Sequence, residues 1–304
     1  MLIVQDIYST PAILRQTLAR VDERGAMLAL WLQGPAVFLG CGSSYCIALA
    51  AAALYEDARG VPAQGIMASE YRPRPEWTHV AISRTGKTTE LVEAMRRARA
   101  TGARVVLVGG EPGAPAQEQA DAVLPLEFAS EQGVIQTRFI SAATMALRLL
   151  IGGERARAAL RDLPDRIERA LGALDTVPPV SRGHVVFLGR GWRHGLALMA
   201  ALNLQETALV VPEGHQTLEY RHGPIASAGE GTLVWCFDPP DDAASAAVLD
   251  DVRRTGATVR CTDDDPLVAA AQAQLLAVRM AEARGVDPDA PRHLSRAIVL
   301  PSSQ

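Results

Sequence analysis

The sequence predicts a duplicated, parallel α/β protein, on three observations. Apolar runs rich in Val, Ile and Leu end in glycine turns and alternate with alanine-rich or amphipathic stretches. Several blocks of the chain recur later in the same order. Hydrophobic residues make up 48% and charged residues 21% of 304 residues, the composition of a water-facing globular protein with room for two domains, each with its own core.

The repeat is visible directly. VFLGCGSSYCIALAAAAL from Val37 matches VFLGRGWRHGLALMAALN from Val186. At the same offset Glu70-Tyr71-Arg72 falls on Glu219-Tyr220-Arg221, and further on Thr101-Gly102-Ala103 corresponds to Thr255-Gly256-Ala257. Within each copy an apolar run (Ala36 to Leu39, His184 to Leu188) ends in Gly-x-Gly and enters an alanine-rich helix. In the first copy a second run, His79 to Ser83, leads through RTGKTTE into a helix over Leu91 to Ala100; Gly102 ends it, and RVVLVGG supplies the next strand. Open parallel sheets bind ligands beyond their C-terminal strand ends, which singles out the loops Cys41 to Tyr45 and Ser83 to Thr89 and their later counterparts.

Outside the copies, Thr10-Pro11 reads as an N-cap with proline at the first helical position, opening a helix to about Leu32. Residues 154–174 carry Leu160, Leu163, Ile167 and Leu171 at helical spacing and read as a connecting segment kinked at Pro164.

Composition narrows the function. Net charge is −4 and Lys/Arg runs are short, which speaks against nucleic acid as a partner. The N-terminus has no signal-peptide pattern, and apolar runs such as Ile47 to Leu54 are too short to span a bilayer, so a cytoplasmic protein with no membrane partner is expected. Cys41, Cys46, Cys236 and Cys261 lack CxxC spacing and read as core thiols in a reducing compartment. The six histidines show no paired-ligand spacing, so no metal is expected.

Four features could carry chemistry. Ser83-Arg84-Thr85-Gly86-Lys87-Thr88 is a hydroxyl-rich strand-to-helix turn, either an anion cradle or a capped helix start. It also fits a relaxed Walker A pattern, but Ala81 lies inside the apparent strand where a loop glycine belongs, and the companion Asp238 sits in the other copy. Gly40 to Tyr45 lacks the third glycine of a dinucleotide fingerprint and reads as a tight turn with Ser43 and Ser44 facing a ligand. Glu206 follows the nearly all-apolar helix Leu196 to Leu204 and shares a face with Asn203; it is either a half-buried proton shuttle or a solvated helix-end residue. His222, before Gly223-Pro224, is either an acid/base near neutral pH or a structural loop histidine.

Taken together, FLGCGSSY, ASEYR, ISRTGKTTELVEAMRRAR, QTRFISAATMALRLL, FLGRG with ALNLQET, EYRHGP and DPDAPRHLSRAIVL resemble the SIS (sugar isomerase) family over nearly the whole chain. Within it they resemble the isomerase half of glucosamine-6-phosphate synthase and the galactosamine-6-phosphate deaminase/isomerases. The resemblance implies two tandem SIS domains, each a three-layer αβα sandwich with a parallel flavodoxin-like sheet. It divides the chain into an N-terminal helical segment (1–32), domain 1 (33–152), a connecting helical segment (153–178) and domain 2 with a C-terminal tail (179–304).

It further implies that Ser43, Ser44, Ser83, Thr85 and Thr88 bind a sugar phosphate, with Arg84 in the same loop, and that Glu206 moves a proton between substrate carbons 1 and 2. His222 would open the sugar ring from the partner subunit of a homodimer, and the tail would close over the sugar with Ser295 and Arg296 nearby. Arg84 and Lys87 depart from the synthase, which has Gln and Glu there; Asn203 and Arg296 replace lysines. No N-terminal cysteine or glutaminase domain is seen, so amino transfer from glutamine is not expected. The reading is a cofactor-free aldose–ketose isomerase of a sugar phosphate, deaminating if the substrate carries an amine. The alternatives are a fructosamine-phosphate deglycase and a noncatalytic sugar-phosphate sensor.

Overall fold

A computed structural model describes residues 1–173 and 183–301; the expected domain boundary at 178/179 lies outside the described residues. After helix α1 (Leu2–Ala29) come β1 (Ala36–Gly40), α2 (Ser43–Arg59), β2 (Ala63–Met67), β3 (Thr78–Ser83), α3 (Thr89–Ala100), β4 (Val105–Gly109), the short α4 (Pro115–Glu118) and β5 (Ala122–Leu124). Helices α5 (Arg138–Leu160) and α6 (Leu163–Gly172) follow. The second half runs β6 (His184–Gly189), α7 (Trp192–Ala208), β7 (Glu213–Gln216), β8 (Thr232–Cys236), α8 (Ala243–Arg254), β9 (Thr258–Cys261) and α9 (Pro266–Ala283).

Two parallel sheets result, ordered β2-β1-β3-β4-β5 and β7-β6-β8-β9. Every residue of β1, β3, β4 and β8 is buried, which explains their largely apolar character: parallel strands covered on both faces have no solvent side, and the polar residues they do carry (Thr78, His79, Ser83, Thr232) stand at the strand ends. The same local device starts α2 and α7. A Cβ on Gly40 would lie 2.4 Å from Ser44 O, and one on Gly189 would lie 2.5 Å from Arg193 O, so only glycine lets each helix begin this close to its strand.

The halves do not have separate cores, contrary to the expectation from length. One hydrophobic cluster contains Phe38 of the first sheet and Phe187 and Trp235 of the second, joined by residues of α1, α2, α5, α7 and α9. Smaller clusters line the outer faces, one beneath α3 and one beneath α8. The reason is the alanine content of α2 and α7, which lets their backbones touch: a Cβ on Gly195 would meet Cys46 O at 2.4 Å.

Two local expectations are corrected. α1 begins at Leu2, not at Thr10-Pro11, so Pro11 lies within the helix. The cap comes from the far end of the chain: Asp289 accepts hydrogen bonds from Leu2 N (2.7 Å) and Ile3 N (2.9 Å), which no local pattern reveals. In the connecting segment the chain departs from helical geometry at Gly153 (φ 56°) and breaks after Leu160, and Pro164 stands in the first turn of α6, where its missing N–H costs nothing.

Candidate active site

A cavity of about 180 Å³ opens at the C-terminal ends of β1 and β3. It is lined by Cys41, Gly42, Ser43, Arg84, Thr88, Val134, Gln136 and Glu206, and by tail residues Leu294 to Ile298. Ser44, Ser83 and Thr85 join Thr88, Arg84, Gln136 and Arg296 around an adjoining recess of about 30 Å³. A roomier groove of about 400 Å³ between α1 and α5 contains none of the expected site residues.

The hydroxyls differ in how they are used. Ser43 and Ser44 are buried at the N-terminus of α2, and neither side chain has a hydrogen-bond partner among the described residues. Ser83 Oγ accepts from Gly86 N (2.9 Å) and Thr85 Oγ1 from Lys87 N (3.2 Å), which shapes the turn. A hydroxyl that accepts from an amide still has its own proton to donate, so cradle and turn-shaping are compatible. Thr88 is the N-cap residue of α3 without a side-chain capping bond.

Arg84 is not placed as an anion-binding arm. Its Nη1 donates to Glu131 Oε2 (3.2 Å) and Gly133 O (3.3 Å), and its Nη2 to Val134 O (2.9 Å) and Arg296 O (3.1 Å). The four terminal N–H donors thus meet four protein acceptors. Arg296 is similarly engaged, with the carbonyl of Glu131, with Glu111 (3.0 Å) and with Ser130 Oγ (3.0 Å). Ser295 is exposed and donates to Ala297 O (3.0 Å).

Glu206 comes from the other half of the chain. Asn203 Nδ2 donates to Gln136 O (2.8 Å), pinning the last turn of α7 to the segment before α5 and setting Glu206 into the cavity wall. Burial raises its carboxyl from 4.5 to about 7, opposed by the positive charge of Arg84. A carboxyl that is half ionised near neutral pH can both take and return a proton.

His222 stands elsewhere. It is exposed at the end of the 3₁₀ turn Glu219–His222 after β7, and it does not line the cavity. In that turn Tyr220 is fully buried against His215, and Arg221 pairs with Asp251.

Sequence reading missed Glu131 and Gln136. Glu131 Oε1 accepts from Thr137 N (2.7 Å) and Phe139 N (2.8 Å), capping α5, while its other oxygen takes Arg84. The available signal was a lone carboxylate six residues before the N-cap Thr137, outside the usual capping positions.

Among the described residues, the equivalent strand end of the second half is built differently. Strand register equates Ser83 with Asp238, since Leu39 pairs with Ala81 and Leu188 with Cys236. Asp238 is buried and accepts from Arg190 N (2.7 Å), Thr217 Oγ1 (2.5 Å) and Ser245 Oγ (2.8 Å). The donors that converge at that strand end are therefore satisfied by the protein's own carboxylate.

Residues 29–152 match the SIS domain family model. The chain carries a SIS domain. The SIS domain holds the hydroxyl loops, while Glu206 lies beyond the matched residues. The glutamine–fructose-6-phosphate aminotransferase (isomerizing) of Methanothermobacter thermautotrophicus is 28% identical, over 98% of this chain and 57% of that protein. The Mycolicibacterium smegmatis protein of the same name is 30% identical, over 86% of this chain and 50% of its own length. The chain thus spans about half the length of these curated relatives.

The fold is similar to that of glucosamine-6-phosphate deaminase from Thermotoga maritima, with TM-score 0.86, 24% identity and coverage of 99% of this chain and 100% of the other. It is also similar to tagatose-6-phosphate ketose/aldose isomerase from Escherichia coli, with TM-score 0.83, 18% identity and coverage of 100% and 98%. Among the described residues no His/Cys/Asp/Glu cluster is placed to hold a metal, and no helix is long and apolar enough to cross a membrane.

Proposed function

We propose that the chain is a cytoplasmic aldose–ketose isomerase acting on a sugar phosphate, with an amino-sugar 6-phosphate that is deaminated as the favoured substrate. In this reading the second half is a second SIS domain, matched to the first by strand order and by the Gly40/Gly189 device. The observation that carries the reading is Glu206: a carboxyl raised to about 7 lines the same small cavity as Ser43 and Thr88. The hydroxyls at the N-termini of α2 and α3 would hold the phosphate, fixing the open-chain sugar with carbons 1 and 2 beside Glu206. Glu206 then removes the proton from one carbon and delivers it to the other through a cis-enediol or enolamine. The substrate carbonyl accepts the electron pair in between. When nitrogen stands on carbon 2, isomerisation gives an imine, and water releases ammonia.

The names of the relatives and of the similar structures point to the same substrate class, phosphorylated hexoses and hexosamines. His222, which does not line this cavity within one chain, would complete the site of a second copy in a homodimer. The test is a panel of hexosamine 6-phosphates, ketose 6-phosphates and fructosamine phosphates assayed for ketose and ammonia. Ketose together with ammonia from a hexosamine phosphate is expected. Release of an amino acid from a fructosamine phosphate alone would replace this reading with a deglycase, and inertness toward the whole panel would overturn it.

A further inference from the structure

The Arg84–Glu131 pair is among the most enclosed charged contacts of the molecule, with side chains 2% and 0% exposed. Such pairs cost desolvation that only good geometry offsets. Here the four terminal N–H groups of Arg84 all meet protein acceptors, while its buried Nε–H has no partner among the described residues. Glu131 fixes the guanidinium to the N-terminus of α5, and Arg84 passes this rigidity to Gly133 O, Val134 O and, across the cavity, to Arg296 O. The tail returns the contact through the Arg296 side chain to Glu131 O and Glu111. Beyond it Ile298 O accepts from Thr89 N (3.1 Å) and Leu300 N donates to Thr89 Oγ1 (2.9 Å), so the strand of tail lies across the start of α3.

We propose that Arg84 is a positioning residue: it fastens the C-terminal tail over the cavity and fixes a positive charge beside Glu206, without contacting substrate. The charge part rests on the isomerase reading; the tether does not. The charged and titratable groups around Glu206 are Cys41 from the turn after β1, Cys46 from α2, Arg84 with Glu131 behind it, and Arg296 from the tail. Of these Arg84 is the one whose charge opposes the effect of burial on Glu206. A lysine could keep the charge but could not span four acceptors in one plane, and a glutamine could do neither.

The test uses Arg84→Lys and the double variant Arg84→Gln/Glu131→Gln, the second chosen because Glu131 left alone and buried would destabilise the fold. Hydrogen exchange of the tail amides from Leu294 to Leu300 should quicken about tenfold in both variants, the effect of losing a hydrogen bond from a charged donor. The Glu206 carboxyl, followed by carbon NMR and assigned with Glu206→Gln, should titrate at higher pH in the double variant and stay near the wild-type value in Arg84→Lys. Unchanged tail exchange in both variants overturns the tether, and an unmoved Glu206 titration in the double variant overturns the charge role. Neither readout needs turnover. Faster tail exchange in a protein inert toward every sugar phosphate would refute the isomerase reading and leave the tether standing.

Discussion

Glu206→Gln should make the protein more stable at alkaline pH and catalytically inert. The carboxyl titrates at 4.5 when free and at about 7 in the folded chain, because burial disfavours its charge. Between those values the native state binds more protons than the unfolded state, so stability falls as pH rises through that window. Above both values the full penalty applies, about 3 kcal/mol for a displacement of this size, reduced to about 2 kcal/mol because Glu206 is only partly buried. Glutamine keeps the shape and carries no charge. Urea unfolding should therefore show the variant about 2 kcal/mol more stable than wild type at pH 8 and nearly equal to it at pH 4. Solvent-deuterium exchange at substrate carbon 2 should meanwhile fall by about 10²-fold or more, with sugar-phosphate binding retained. Parallel stability profiles for the two proteins would refute the buried-carboxyl argument, and wild-type exchange in the variant would remove Glu206 from the chemistry.

Thr85→Val should weaken a sugar phosphate by roughly 10- to 150-fold and the unphosphorylated sugar little, since a hydrogen bond to a charged group contributes about 1.5–3 kcal/mol; equal losses in calorimetry would argue against a phosphate cradle. Subunit exchange between Glu206→Gln and His222→Ala should restore about a quarter of wild-type activity, because half of randomly mixed dimers would hold one intact shared site. With exchange confirmed by tags, no recovery would show that His222 does not complete a partner's site. Gly195→Ala should destabilise by about 1–3 kcal/mol despite alanine's better helix propensity, because the added methyl meets Cys46 O and Ala50 N of α2. A stabilised variant in denaturant unfolding would contradict the close helix contact.

How far the sequence could be read followed from where its residues end up. β1, β3, β4, β6 and β8 were legible because enclosed parallel strands have apolar centres. β2 (AQGIM) and β7 (EGHQ) were not, because edge strands facing solvent mix polar residues and glycine. The hydroxyl loops and Glu206 could be found from residue type and local periodicity. The employment of Arg84 could not. Its partners at Glu131, Gly133, Val134 and Arg296 are long-range, and a basic residue in a phosphate-type loop looks the same in sequence whether its donors face a ligand or the protein. The start of α1 escaped for the same reason, its cap being Asp289.

The shared core gives the site its logic. The first sheet supplies the hydroxyl-bearing helix starts, and α7 from the second half supplies Glu206, so the cavity exists only while α2 and α7 stay in backbone contact. A carboxyl kept near 7 needs the burial that both halves jointly provide, and the Asn203–Gln136 bond that aims it crosses between them. The corresponding strand end of the second sheet lies outside this junction. With Asp238 at the strand position that Ser83 holds in the first sheet, the donors there serve the protein's own carboxylate instead of a ligand.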